Sequence, residues 1–539
     1  MRARSVVAGV FFVLSGLAVI AACGDSGSGT DSTGPSPTST STTKPPGSST
    51  TPASTTPTST APTEAGPPAH VGRFKEAKGV LHVHSVYSHD ACDGDGLPDG
   101  SPNAPCLADM RAAPCNVGYD FVNLTDHPAH MNEFSPTENL IYDPSKGDEL
   151  VMGSDGVSPI GNYVKCSNGK RVLFTFGYEA LHTLPLMFEK HPTKYEAYDT
   201  SRPLADVQAL SADLKDAGAL LALAHSEESD IDPDLIAKGG AEMMEWYNPH
   251  GNFKKTMGTD KVSGNPLTLL GFFGSIGDFL SGSSSGANAD LVYLKLLQTW
   301  PTEGFTKWRE VQKQKFVPGV LGSDVHQNIS IDPVCKGATQ ALCAAAAGSQ
   351  GSALALLIAG GQLMMNDGKR LDTYDRIMRW LHNNVLTNDV SPAGLKDAMR
   401  HGRSYGVFSV FGDPTGFYFE GDAAGKALDL GDEAAGPVKL TYKVPDVPVP
   451  TPGGAQFDAA SAKNAIVRAV LFRTDATGTK EVVTATSLGA VTEKTVTEPG
   501  SYHVEVWVKP KHLVGTLGPS AGLADSEYLW FITNPIRVK

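Results

Sequence analysis

The chain repeats one local design five times: a run of β-type apolar residues whose carboxyl end delivers a histidine, aspartate or glutamate. The first is Leu81-His82-Val83-His84-Ser85, and the second runs from Phe121 to His127 (FVNLTDH). Arg171 to Glu179 (RVLFTFGYE) ends in a carboxylate, Gly218 to His225 (GALLALAH) in an imidazole, and Phe316 to His326 (FVPGVLGSDVH) in Asp324 and His326. Successive side chains of a strand face opposite sides, so His82 and His84 point the same way while Leu81 and Val83 face a packed layer behind them. One such ending is ordinarily a hydrogen-bonded structural histidine. Five at the same end of their strands, where α/β folds place their active sites, predict one metal centre. A donor set of His, Asp and Glu without Cys suits zinc, manganese or iron.

Taken in order, HVHSVYSHDA, NLTDH, GYE, AHS and GSDVH resemble the motif set of the PHP superfamily, named for polymerase and histidinol phosphatase, over about residues 75 to 410. The resemblance implies an α/β fold, a distorted (β/α)7 barrel, and a phosphoesterase with two to three divalent ions (Zn, Mn or Fe). It makes His82, His84, Glu179 and Asp324 ligands of one ion, with Glu179 bridging to a second that also takes His225. A third ion takes the residues matching Asp90, His127 and His326. Two positions depart from the pattern. Ser88-His89-Asp90 offers His89 or Asp90 for one slot, with Asp90 preferred. The histidine expected between Glu179 and His225 is His182 or His191, with His182 preferred.

Hydrolysis of a phosphate ester at neutral pH needs an activated nucleophile and neutralisation of the phosphoryl oxygens, and clustered metals supply both through a metal-bound hydroxide. Asp126 is then a candidate catalytic residue, orienting His127 or accepting a proton. Its plainer role is a hydrogen-bond partner behind the ligands.

Two arginines in Met1 to Arg4, the apolar stretch Val6 to Ile20 and Ile20-Ala21-Ala22-Cys23 read as a signal peptide over residues 1–23. It resembles a bacterial lipobox, which implies lipidation of Cys23 and a periplasmic or cell-surface location with the chain held to a membrane by a lipid anchor. Residues 24–68, rich in Ser, Thr, Pro and Gly, have too little apolar surface to fold and read as a tether.

Cys92, Cys106, Cys115, Cys166, Cys335 and Cys343 suit disulfides in an oxidising compartment. Cys335 and Cys343 are spaced for a local clip, and the other four would staple the segment after the first motif in a pairing the sequence leaves open. That segment contains Asp93-Gly94-Asp95-Gly96-Leu97-Pro98-Asp99-Gly100, where Asp93, Asp95 and Asp99 resemble a calcium loop, although a polar Gly-rich surface loop explains them equally.

The hydrolase domain is expected over 69–410, with helices at Pro203 to Ala217, Leu371 to Leu386 and Ala393 to His401. Asn252 to Gln314 exceeds one crossover, and Phe272, Phe273, Phe279 and Leu280 suit either a lid or an outer insertion. Ala341 to Leu363 is too interrupted by glycine to span a bilayer. Residues 411–539 alternate as strands between Gly, Pro and Asp turns and predict an all-β sandwich with a structural or docking role.

A net charge of −14 without basic clusters argues against a nucleic-acid partner. The expected partner is a small phosphate mono- or diester. The alternatives are a surface binding protein on the same scaffold, or a carboxyl ester or carbamate hydrolase using the same metals.

Overall fold

Strand β1 (Lys75–Val83) carries the first histidine pair in the middle of a long sheet. The computed structural model describes residues 73–180, 182–192, 204–229, 231–257, 274–299, 302–331 and 361–539. The signal peptide, tether and Cys23, the pair Cys335 and Cys343, Phe272 and Phe273, and most of 341–363 lie outside the described residues.

β1 pairs in parallel with β2 (Phe121–Leu124), and β2 in parallel with β5 (Arg171–Thr175). The strands β3 (Glu149–Met152) and β4 (Pro159–Lys165) extend this edge antiparallel. A second sheet of four strands has the order β6 (Thr183–Leu186), β7 (Leu220–Leu223), β8 (Met243–Tyr247), β9 (Gly319–Leu321). Within it β7, β8 and β9 are parallel. Isolated bridges join the two sheets, Val83 to Val325 in parallel and Gly177 to Leu186 antiparallel.

The apolar residues of these strands explain the arrangement. Leu81, Phe121, Leu173, Leu184, Leu186, Ala222, Met243 and Val320 form one buried cluster, so each of seven strands turns a side chain inward. Val80 and Val83 instead join a larger cluster on the other side. Leu81 and Val83 therefore do not share a layer as strict alternation predicts, because a bulge between Val80 and Val83 shifts the phase just before the second ligand.

The segment from Leu371 is not one helix. A short helix, Tyr374–Met378, gives way to the strand His382–Thr387, which pairs antiparallel with β1 from Lys75 to Gly79. Edge pairing with β1 overrides the helical spacing around Trp380 and Leu381. The helices Leu204–Asp216 and Pro392–Arg400 lie where the apolar spacing puts them.

His382–Thr387 pairs with Ser404–Val407, and that strand pairs with Tyr528–Thr533, so the sheet carrying β1 continues into the C-terminal strands and reaches 13 strands. Contacts from Phe74 to Lys539 accordingly form one unit. A separate four-stranded sheet, with Tyr418–Ala423 and Val438–Lys443 at its centre, packs Val438, Leu440 and Tyr442 into the same cluster as Val467, Ala469 and Leu471. Ser409–Phe411 form a 3-10 turn after the strand Ser404–Val407. Phe279 and Leu280 are fully buried, and Leu280 bridges to Met365.

Cys92 is disulfide-bonded to Cys106, and Cys115 to Cys166. The Asp93 carboxylate is taken by Arg370, whose Nη1 and Nη2 donate at 2.7 and 2.8 Å, and by Gln362 at 2.9 Å. Asp93, Asp95 and Asp99 form no ligand group among the described residues, and the Asp93 carboxylate is already paired with a guanidinium. No helix among the described residues is long and apolar enough to cross a membrane.

Candidate metal centre

All the ligand-bearing loops leave the carboxyl ends of β1, β2, β5, β7, β8 and β9. Glu179 reaches this point because the chain after β5 passes closely between its neighbours at Gly177. A β carbon there would come within 2.8 Å of the Pro185 carbonyl and 2.9 Å of the Leu124 carbonyl.

Three groups of side chains bring ligand atoms within 4.8 Å of one another: His82, His84, Glu179 and Asp324; His84, Asp90, His127 and His326; and His225, His250 and Asp324. In the first, Nε2 of His82 is 3.1 Å from Nε2 of His84 and 3.1 Å from Oε2 of Glu179. In the second, Oδ2 of Asp90 is 3.1 Å from Nε2 of His326 and 3.4 Å from Nε2 of His127. In the third, Oδ2 of Asp324 lies 3.3 Å from Nδ1 of His250. Asp324 and His84 each belong to two groups. Glu179 also touches the third, with Oε1 2.8 Å from Nε2 of His225.

The imidazoles are held in one sense. His82 donates from Nδ1 to Glu245 at 2.7 Å, and His84 from Nδ1 to the Ser88 hydroxyl at 3.0 Å. His127 and His326 donate from Nδ1 to the carbonyls of Glu179 at 3.1 Å and Asp324 at 3.0 Å. Each outward Nδ1–H turns Nε2 toward the centre, where a metal ion would take its lone pair in place of a proton. Ser88 serves three ligands at once, since its hydroxyl also donates to Asp90 at 2.8 Å and accepts the His127 N–H at 3.2 Å.

Charge in this space is strongly coupled. Burial works to raise Glu179, yet His82 and His225 outweigh it and hold the carboxyl well below its usual range. Asp324 is likewise held low against burial by His82 and His326, and Asp90 against burial by His326 and His127. Burial opposes protonation of His326, but Asp90 and Asp324 lift it to about 9. His84, stacked at 3.8 Å on His326, is lowered by burial and by that neighbour.

Among the described residues neither oxygen of buried Asp324 accepts a well-directed hydrogen bond, and imidazole nitrogens of His82 and His250 stand 3.3 Å from Oδ1 and Oδ2. A buried carboxylate is costly unless cations face it. With the converging imidazoles, this donor set fits divalent metal ions.

Of the residues expected from sequence, His82, His84, Asp90, His127, Glu179, His225, Asp324 and His326 are brought together. Asp90 rather than His89 enters a group, and the exposed His89 ring lies 4.9 Å from that of His127. His182 and His191 enter none among the described residues. His182 sits in the tight turn closed by Ala180 and Thr183, and its carbonyl accepts from the Ala224 N–H at 3.0 Å. His191 donates from Nε2 to the Pro159 carbonyl at 2.7 Å and packs edge-on against Phe176. Asp126 is buried behind the ligands, with both oxygens engaged by the amide and hydroxyl of Ser85, and burial raises it to about 6.

Sequence reasoning missed His250, at the start of the helix Pro249–Met257. Its signal is the one used elsewhere, because the apolar run MMEWY is followed at once by NPH. Also missed were Glu245, wholly buried, and Glu227, whose Oε1 lies 3.5 Å from Nδ1 of His225.

No family model and no curated protein matches the chain. A solved structure similar to it is the crystal structure of a two-domain protein containing a predicted PHP-like metal-dependent phosphoesterase from Bacteroides vulgatus. The two share 11% identity at a TM-score of 0.28, over 80% of this chain and 90% of that one. A likeness of that size carries no argument, and what can be said of this chain's chemistry rests on its own converging ligands.

Proposed function

We propose that this protein is a metal-dependent hydrolase, a phosphoesterase acting on small phosphate mono- or diesters, held at the bacterial cell envelope by a lipid on Cys23. The observation that carries the reading is the convergence of four Nδ1-anchored imidazoles and the buried carboxylates of Glu179 and Asp324 on one space. The bridges Val83 to Val325 and Gly177 to Leu186, with one inward residue from each of seven strands, support a distorted (β/α)7 barrel as its scaffold. The apolar cluster shared by the C-terminal sheets supports a β-sandwich over 411–539, appended to the domain at 69–410.

Divalent ions bound in the three groups would set positive charge against the phosphoryl oxygens and lower the pKa of water. His82, His84 and Asp324 hold the middle of the centre, and Glu179 spans from there to His225. Ser88 and Asp126 fix the loops after β1 and β2 rather than meeting substrate. The disulfide-bonded loop at Cys92 borders the centre, since the Cys92 N–H donates to the His326 carbonyl at 2.9 Å.

The test is metal analysis of the purified chain together with hydrolysis of a chromogenic phosphomonoester and phosphodiester, before and after chelation. Two to three bound ions with chelator-sensitive turnover support the reading and identify the ester class. Bound ions without turnover of either ester would transfer it to a carbonyl substrate or a binding role, and a chain that takes up no ion would end it.

A further inference from the structure

Glu245 is a fully buried carboxylate in the middle of β8, a strand otherwise made of Met, Trp and Tyr. Nothing in packing asks for a charge there, and burying one is costly unless every oxygen is used. Both are used, and by different parts of the metal centre. Oε1 accepts from Nδ1 of His82 at 2.7 Å, while Oε2 accepts the backbone N–H of His225 at 2.8 Å and Nδ2 of Asn248 at 3.2 Å. Asn248 passes the contact on, because its Oδ1 accepts the His250 N–H at 2.8 Å. The room is reserved by Gly322, where a β carbon would come 1.9 Å from Oε1.

We propose that Glu245 is a positioning residue that couples two ligand groups of the centre, setting the ring of His82 in one and, directly and through Asn248, the placement of His225 and His250 in the other. His225 holds a left-handed backbone at φ 52°, which its own N–H bond to Oε2 helps maintain. The third group, His84, Asp90, His127 and His326, is anchored by Ser88 and by backbone carbonyls and has no contact with Glu245. One carboxylate therefore governs two of the three groups.

This inference rests on the metal-centre reading and not on the identity of the ester, so its test reads affinity. Zinc(II) is titrated into the metal-free full chain against a chromophoric chelator, and the visible ligand-field bands of the cobalt(II) form are recorded. Glu245→Gln keeps the size, but a single carbonyl cannot accept from both the His82 ring and the His225 N–H. Zinc in the His82 group and in the His225–His250 group should bind about 10- to 100-fold more weakly, with shifted cobalt bands, while the remaining equivalent keeps wild-type affinity. Asn248→Ala should weaken the His225–His250 equivalent alone, and it decides the matter if Glu245→Gln fails to fold. Unchanged affinities and an unchanged cobalt spectrum in a folded variant would overturn the proposal, as would a uniform loss across all equivalents. Wild-type protein that binds zinc but hydrolyses no phosphate ester would instead count against the phosphoesterase reading and leave this one standing.

Discussion

His225 and Asp324, at the ends of β7 and β9, both hold left-handed backbone conformations, with φ of 52° and 46°, and their side chains meet at 3.9 Å. Such a conformation is uncommon for a residue with a β carbon and costs on the order of 1 kcal/mol or more. Two strained positions facing one point indicate that ligand placement took precedence over backbone ease. His225→Gly and His225→Ala should both lose zinc affinity. The metal-free Gly variant should be the more stable of the two by about 1 kcal/mol in urea unfolding. An Ala variant as stable as the Gly variant would show that the turn is not strained.

Glu179→Ala should reduce metal content by more than one equivalent and lower chelator-sensitive turnover by at least about 100-fold, because the carboxylate touches His82, His84 and His225. Elemental analysis and the ester assay measure both. Full occupancy with normal turnover would remove Glu179 from its bridging place.

Asp90→Ala should lose about one metal equivalent, whereas His89→Ala should keep all of them. Asp90 contacts both His127 and His326, while the exposed His89 stands outside every ligand group among the described residues. Equal losses in the two variants would put His89 back into contention as a ligand.

Stability should fall in acid through a group outside the ligand groups of the metal centre. Buried His512 donates from Nε2 to the Phe411 carbonyl, its Nδ1 has no partner among the described residues, and burial lowers it from 6.5 to about 4. The unfolded chain takes up this proton first. Stability present above about pH 6.5 is therefore lost as pH falls toward about 4, by an amount on the order of 3 kcal/mol. His512→Gln should flatten that part of the curve when urea unfolding of variant and wild type is compared across the same range. Parallel curves would refute the assignment.

The ligands on β1, β2, β5, β7 and β9 are legible in the sequence because each follows an apolar run, and strand periodicity sends alternate residues to one side. His250 escapes that reading although Met243 to Tyr247 followed by Asn248-Pro249-His250 obeys the same rule. The resemblance drawn from the sequence motifs implies a further histidine between Glu179 and His225, where His182 and His191 instead serve a tight turn and the Pro159 carbonyl. Glu245 is invisible because a lone acid in an apolar strand has no local signature until its partners, far away in sequence, are known. The union of His382–Thr387 and Tyr528–Thr533 into the sheet of β1 is illegible for the same reason. Alternation announces a strand but not its neighbour, and the partners lie hundreds of residues apart.

That union bears on the order in which the molecule can assemble. A chain made from its amino end presents β1 and its histidines early, yet one edge of Ser404–Val407 stays bare until Tyr528–Thr533 has been made. During that interval the growing protein carries an unpaired strand edge two places from β1, open to pairing with another copy. Tyr528–Thr533 thus covers one edge of the sheet that bears the first ligands, and deleting that strand should harm solubility before it harms chemistry.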